Sequence, residues 1–419
     1  MTRPPVAGRR SAIAAIAALA LAVLALPAVA TGQTSAPQLR GARAAIVLES
    51  STGQVAYARS AHARRPIAST TKLMTALVTL QHADLDDVVR ASSYRPAPVE
   101  SQIGLRPGER MTVRDLLRGV LLASGNDAAM ALAVGVSGSR AAFVRQMNAE
   151  ARALGLRDTH FANPIGLDQT GNYSTAEDLA RLAMALRRNA FARETMDLPR
   201  ATLQTGSHVR RILNRNTLVR TVPAVNGVKT GHTLSAGYVL VGSASRNGIT
   251  VVSVVMGEPS EALRDSDSVR LLRYGLDTFR RATGLQRGAV LAHVKLTHRD
   301  EHVDLLASST VRRIIRRGQR FRVQVQGVPA ELEGPLPSGA RVGTAVVRLG
   351  DEVVARVPLV TAAAVAEASL GDRVSDAADG LILPLLLGLA LAGSLLIMVL
   401  RRRAVRRRRS VRRRERRAA

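Results

Sequence analysis

Of the 60 basic residues in the chain only three are lysines, Lys72, Lys229 and Lys295, so arginine fills nearly every generic cationic role. Arginine keeps its proton inside a protein, whereas burial or a neighbouring cation tunes a lysine toward the neutral amine, which is a base. Lys72 follows Ser69 in Ser69-Thr70-Thr71-Lys72, where a helical pattern begins, and that spacing puts hydroxyl and amine on one face a turn apart. Such an amine can take the hydroxyl proton. The positive helix start disfavours its charged form, and amides at the same helix start can donate to an oxyanion. Lys229 opens Lys229-Thr230-Gly231, followed by His232-Thr233, in an expected sheet-edge segment from Val228 to Thr233. Gly231 lets a substrate backbone lie close, and Lys229 supplies a second cation that lowers the basicity of Lys72 if the two share a cleft. Ser124-Gly125-Asn126 offers another hydroxyl and an amide between two helical runs. Each triplet taken singly also reads as turn chemistry or a solvated lysine; the set in this order, over about 160 residues, does not.

The elements that must position these groups follow from periodicity. Ala44 to Glu49 is a short apolar run, Ser51-Thr52-Gly53 is turn chemistry and Gln54 to Ala58 continues, so a β-hairpin is expected. From Thr70 to about Glu194 the pattern is helical: Leu73, Met74, Leu77 and Leu80 recur at three- and four-residue spacing, and Thr112 with Asp115 resembles a capping box. Strands return from Val225, with a hairpin turning at Asn247-Gly248 and a closing helix over Ser266 to Arg281. This order predicts an α/β domain over residues 43–282, an antiparallel sheet flanked by helices. Alternating runs between 285 and 361, broken by Gly and Pro, predict a small all-β domain, and 362–380 reads as a polar linker.

The ends of the chain suggest its location. Residues 1–30 read as a secretory signal, with Arg9 and Arg10, an apolar run from Ala12 to Leu26, and Ala28-Val29-Ala30 as the cleavage site. Leu381 to Leu400 is uncharged over 20 residues, the length of a membrane-spanning helix, and 12 arginines with one glutamate in 401–419 predict a cytoplasmic tail and an extracytoplasmic catalytic domain. Net charge is +28, but much of the excess sits at the ends, and aromatics are 2% with no Trp. The chain therefore lacks the basic-aromatic interleaving of a nucleic-acid binder, and no nucleic-acid partner is expected. Absence of Cys excludes disulfides, thiolate metal sites and thiol catalysis.

Ser-x-x-Lys, Ser-x-Asn and Lys-Thr-Gly together are the signature of serine acyl-enzymes that react with penicillin. The segment from about Ala44 to Gly275 resembles the low-molecular-weight penicillin-binding proteins of the D-alanyl-D-alanine carboxypeptidase family. The resemblance extends over IASTTKLMTA (67–76), LLASGNDAA (121–129), Met147-Asn148, HFANPIGL (160–167), YSTAED (173–178) and GVKTGHTLSAG (227–237). The portion from Leu285 to Val360 is similar, more loosely, to that family's C-terminal domain.

The resemblance implies a β-lactamase/transpeptidase-like fold and a serine D,D-carboxypeptidase acting on peptidoglycan stem peptides, with β-lactams as covalent inhibitors and no cofactor or metal. Ser69 takes the role of nucleophile, Lys72 of general base, Ser124 of proton relay and Asn126 of hydrogen-bonding partner, while Lys229 steadies the relay and the substrate carboxylate. The amides of Ser69 and His232 match the oxyanion hole, Gly231 belongs to the substrate-binding Lys-Thr-Gly triplet, and Thr230, Thr233 and Arg264 serve the terminal carboxylate. A D,D-endopeptidase cutting cross-links shares every triplet and stays open as the alternative. A class A β-lactamase needs a Glu-x-x-Leu-Asn segment, where this chain has Asn163-Pro164-Ile165-Gly166-Leu167-Asp168, and a silent wall-binding or drug-sensing module would not need the triplets. His298-Arg299-Asp300-Glu301-His302 matches the pattern His-x-x-Glu-His, but zinc chemistry needs it on a helix and a turn is expected there.

Overall fold

The computed structural model describes residues 35–418, which divide into two compact units at Phe279/Arg280. The signal-peptide expectation for residues 1–30 lies outside the described residues.

In the first unit β1 (Ala44–Glu49) and β2 (Val55–Arg59) form the opening hairpin, and the buried Glu49 carboxylate holds its turn by accepting from the amides and hydroxyls of Ser51 and Thr52. A 3-10 turn (Ala68–Thr71) leads directly into α1 (Lys72–His82). After the short pair β3 (Val88–Arg90) and β4 (Arg110–Thr112) come α2 (Val113–Arg118), a π-turn (Gly119–Ala123), α3 (Asn126–Ser137) and α4 (Arg140–Ala153). Next are α5 (Ala176–Arg187), α6 (Ala190–Asp197), the pair β5 (Arg200–Leu203) and β6 (Arg210–Leu213), and the single turn α7 (Leu218–Thr221). The chain then returns through β7 (Val225–Thr233), β8 (Gly237–Arg246), β9 (Ile249–Glu258) and α8 (Glu261–Thr278).

The central sheet has the order β2-β1-β9-β8-β7, antiparallel throughout, so the last strands of the unit close against the first. Every residue of β1 is buried, as are most of β8 and β9, which is why these strands read as unbroken apolar runs rather than alternating ones. On one side Leu73, Met74 and Leu77 of α1 share a core with Leu116, Leu117, Phe143 and Met147. On the sheet, α8 comes so near that a Cβ at Gly275 would meet Val47 at 2.8 Å.

Two boundaries and one cap differ from expectation. The closing helix spans Glu261–Thr278 rather than Ser266 to Arg281, because Ser260 caps it by accepting from the Leu263 amide, and the polar run Arg264 to Ser268 interrupts the apolar period that Leu263 begins. Residues from Phe279 on leave the helix as a strand, so the catalytic unit ends three residues before 282. Only half of the expected capping box forms: Thr112 accepts from the Asp115 amide, but the Asp115 carboxylate turns away to accept from the amides of Gln204 and Thr205.

The second unit is built on β-structure. Strand β10 (Phe279–Leu285) pairs with β13 (Val311–Arg316), and a six-stranded sheet runs in the order β14 (Phe321–Gln326), β16 (Arg341–Leu349), β17 (Glu352–Thr361), β12 (His302–Ala307), β11 (Val290–Leu296), β15 (Glu331–Leu332). The expected linker is shorter than 362–380, since helix α9 (Leu370–Ala418) already begins at Leu370. Its stretch Pro384–Arg406, 23 residues, is long and apolar enough to cross a membrane, overlapping the Leu381 to Leu400 span. The His298–His302 segment is the turn between β11 and β12, and His298 Nδ1 lies 2.7 Å from Asp376. Among the described residues no group of three or more His, Cys, Asp or Glu is placed to hold a metal.

Candidate active site

Ser69 sits in the 3-10 turn and Lys72 opens the helix that follows, so the three-residue spacing brings Lys72 Nζ to 3.0 Å from Ser69 Oγ. Nothing polar from solvent reaches the amine, whose residue is 0% exposed. It donates to Asn126 Oδ1 at 2.6 Å and to the Ile165 carbonyl, so all of its partners are neutral oxygens. Burial pushes Lys72 down to about 7, and the Arg215 charge adds to this, while the carboxylates of Glu100 and Asp127 pull the other way. The residue is thus poised to give up and regain a proton near neutrality.

Ser124 ends the π-turn in a left-handed conformation, φ 63°, which a residue with a Cβ adopts at a cost of about 1 kcal/mol or more. That bend places Ser124 Oγ 2.9 Å from Lys229 Nζ, which also donates to the Thr230 carbonyl. Lys229 is held well below the ordinary lysine range, first by burial and then by the charges of Lys72, Arg215 and Arg264. The two lysines repel one another as the sequence leads one to expect, and the nearby Arg215 charge lowers both.

Two glycines let the backbone close around the serine. A Cβ at Gly231 would stand 3.1 Å from both the Ile67 carbonyl oxygen and the Ser69 nitrogen, so β7 lies directly on the turn that carries Ser69. Gly231 also lines the cleft, so the missing Cβ serves the packing of this turn as well as the substrate approach expected there. Gly166, at φ 86°, would drive a Cβ to 2.0 Å from the Ala68 carbonyl oxygen. Asn163 shapes this loop by accepting from the amides of Ile165 and Gly166, which aims the Ile165 carbonyl at Lys72.

Ser69, Ser124, Thr230, Gly231, His232 and Arg264 line one polar cleft of about 340 Å³, with Lys72, Asn126 and Lys229 buried and bonded beneath it. Arg264 is not a solvated arginine: it is 3% exposed, its guanidinium lies 5.9 Å from the Tyr238 ring centre, and Glu261 and Asp265 pair with it. Thr233 stands apart. Its hydroxyl donates to Asp168 at 2.8 Å and it lines the neighbouring cavity rather than this one. Sequence reasoning missed Arg215 and Tyr238 in the cleft wall, Glu100 behind Asn126, and the Ile165 carbonyl. Only the last had a local signal, in the HFANPIGL segment.

Comparison with known proteins agrees with this geometry. Residues 30–260 match the family model for D-alanyl-D-alanine carboxypeptidase, and residues 279–367 match that for the C-terminal domain of penicillin-binding protein 5. D-alanyl-D-alanine carboxypeptidase DacD of Escherichia coli is 34% identical over 79% of this chain and 88% of its own length, and DacF of Bacillus subtilis is 31% identical over 78% and 87%. Among solved structures, penicillin-binding protein 5 of Haemophilus influenzae superposes with a TM-score of 0.60 at 30% identity, covering 80% of this chain and 99% of that one. The Streptomyces K15 DD-transpeptidase matches 57% of this chain and 99% of its own with a TM-score of 0.54 at 34% identity. A family model spanning more than half of the chain, and relatives aligned over about four fifths of it, place this protein in the D-alanyl-D-alanine carboxypeptidase family of serine peptidases.

Proposed function

We propose that the protein removes the terminal D-alanine from peptidoglycan stem pentapeptides through an acyl-enzyme on Ser69. The observation that carries this reading is the contact at 3.0 Å between the Ser69 hydroxyl and a fully buried amine that has only neutral oxygens around it. Neutral Lys72 takes the Ser69 proton as Oγ bonds to the carbonyl carbon between the two D-alanines. The amides of Ser69 and His232 are assigned to the developing oxyanion. When the carbon–nitrogen bond breaks, the leaving amine receives a proton by way of Ser124, whose hydroxyl is held by Lys229. With that proton gone to the departed D-alanine, neutral Lys72 takes a proton from the water that attacks the ester and passes it to Ser69 Oγ as the carbon–Oγ bond breaks, releasing the shortened stem peptide.

Thr230 and Arg264 line the cleft where the terminal carboxylate is assigned, Lys229 lies beneath it, and the Thr233 hydroxyl would have to leave Asp168 to join them. Penicillin acylates the same serine in this reading. The chain is held at the membrane by the apolar stretch of α9, with the arginine-rich end cytoplasmic and the peptidase domain outside. External protease should digest the peptidase domain in spheroplasts while a tag after Ala419 stays protected.

A transpeptidase reading has one observation behind it, the likeness of the peptidase unit to the K15 enzyme; a cross-link endopeptidase uses the same serine chemistry. The full chain in detergent, given a D-Ala-D-Ala pentapeptide, is expected to release free D-alanine, and Ser69→Ala to release none while keeping its fold. Transfer to an added amine in place of release, or loss of cross-links from muropeptides at a comparable rate, would favour the other readings.

A further inference from the structure

The triplets do not explain a carboxylate that the loop 91–109 brings against the site from behind. Glu100 Oε2 accepts from Asn126 Nδ2 at 2.6 Å and from the Tyr94 hydroxyl, and its Oε1 accepts from the Ala97 amide at 3.1 Å. Asn126 passes the contact on, because its Oδ1 is the oxygen that accepts from Lys72. A side-chain amide has a donor end and an acceptor end of nearly equal shape. An ionised carboxylate accepts only, so it selects the orientation in which the nitrogen faces Glu100 and the oxygen faces the amine.

We propose that Glu100 is a positioning residue of the acylation step: it locks the Asn126 amide with its oxygen toward Lys72 and places a negative charge behind the amine. The proposal rests on the serine acyl-enzyme reading for its consequence in catalysis, but not for its effect on Lys72. The charged groups acting on Lys72 come from several elements: Glu100 from the loop, Asp127 from α3 and Arg215 from the segment before α7, with Lys229 of β7 close enough to be lowered by Lys72 itself. Of these, Glu100 acts most strongly after burial, and it acts to keep the proton on. Glu100 itself stays ionised: burial works to raise it, but the hydrogen bonds from Tyr94, Asn126 and Ala97 and the Lys72 charge outweigh that and hold it below the ordinary range.

With three lysines in the chain, the titration of Lys72 is open to NMR on labelled lysine side chains in the full protein, assigned by its loss in Lys72→Arg. Glu100→Gln keeps an oxygen for Asn126 and removes the charge. The Lys72 midpoint is expected to fall by roughly half a unit or more, and the acid limb of penicillin acylation to move down with it. Glu100→Ala should give the same downward shift and also lower the plateau of acylation about ten-fold, since the amide is then free to turn its nitrogen toward Lys72. Asp86→Asn, which removes an exposed carboxylate paired with Arg114, should leave the midpoint in place. A Lys72 midpoint that stays put or rises in both Glu100 variants overturns the proposal. The same titration in Ser69→Ala, where no acylation occurs, separates failure of this inference from failure of the acyl-enzyme reading.

Discussion

Lys72 and Arg210 are both buried cations in the peptidase unit, and their surroundings are opposite. Arg210 meets Glu109 with both carboxylate oxygens, at 2.8 and 2.9 Å, and spends its other donors on the carbonyls of Ile103, Gly104 and His208. Glu109 responds in kind: burial works to raise it, but hydrogen bonds from Arg106, Ser207 and Arg210 drive it down to about 2. Lys72 has no carboxylate in direct contact, only a hydroxyl, an amide oxygen and a peptide oxygen. A paired buried charge is fixed and ties loops together; an unpaired buried amine is labile, and lability is what a base needs. The near-replacement of lysine by arginine elsewhere in the sequence fits this division.

Exchanging the two chemistries should break the contrast most sharply. Lys72→Arg retains a cation that cannot act as a base, and penicillin acylation by the folded protein is expected to fall by about a hundred- to ten-thousand-fold. Retained acylation in that variant would take Lys72 out of the mechanism. Arg210→Ala should do the reverse. It leaves the Glu109 carboxylate buried without its ion pair, a change that costs about 3 to 5 kcal/mol in urea unfolding, while the acylation rate of the protein that remains folded stays near wild type.

Arg264 lies between these extremes, buried in the cleft yet paired with Glu261 and Asp265. Truncation to Ala is expected to lower kcat/KM on free-acid peptides about ten-fold, at the low end of a charge-assisted contact because its charge is already shared. The C-terminal amide of the same peptide should hardly respond, so acid-over-amide preference should collapse in Arg264→Ala; equal preference in both enzymes returns Arg264 to a structural role.

The smallest effect concerns pH and stability. Glu258 is buried at the end of β9, and burial together with the neighbouring Asp267 charge raises it to about 7. A carboxyl raised above its unfolded value of 4.5 contributes stability that is full below that value and lost as pH climbs through about 7. Lys72, depressed from 10.5 to about 7, has the opposite sign: the cost of burying its charge is relieved as pH rises over that window. Glu258→Gln should therefore flatten the loss of thermal stability between about pH 4.5 and 7, read from melting curves at a series of pH values, without moving the acid limb of acylation.

Much of the site was legible because its parts are local. A serine three residues before a lysine at a helix start has little freedom, and Ser-x-Asn and Lys-Thr-Gly each present their groups from a single turn or strand. Contacts that join distant segments carry no such spacing. Glu100 reaches Asn126 from a loop without periodicity, and Arg215 is one arginine among many. Thr233 sat in register to serve the cleft, yet Asp168 holds its hydroxyl. In the second unit β13 carries a weak strand signal because Val-Arg-Arg-Ile-Ile-Arg breaks strict alternation, with Val311 and Ile315 buried and two consecutive arginines exposed. The start of α8 was hidden by the polar run Arg264 to Ser268, and Glu261 and Arg264 serve the cleft rather than the core.

The second-order rate of penicillin acylation, followed on the full chain in detergent from about pH 5 to pH 9, tests the role of the unpaired amine most directly. A rate that rises with pH to a plateau through a midpoint near 7, in step with the titration of Lys72, is the expected result. A rate independent of pH across that range, or one with its midpoint near the ordinary lysine value of 10.5, would contradict it.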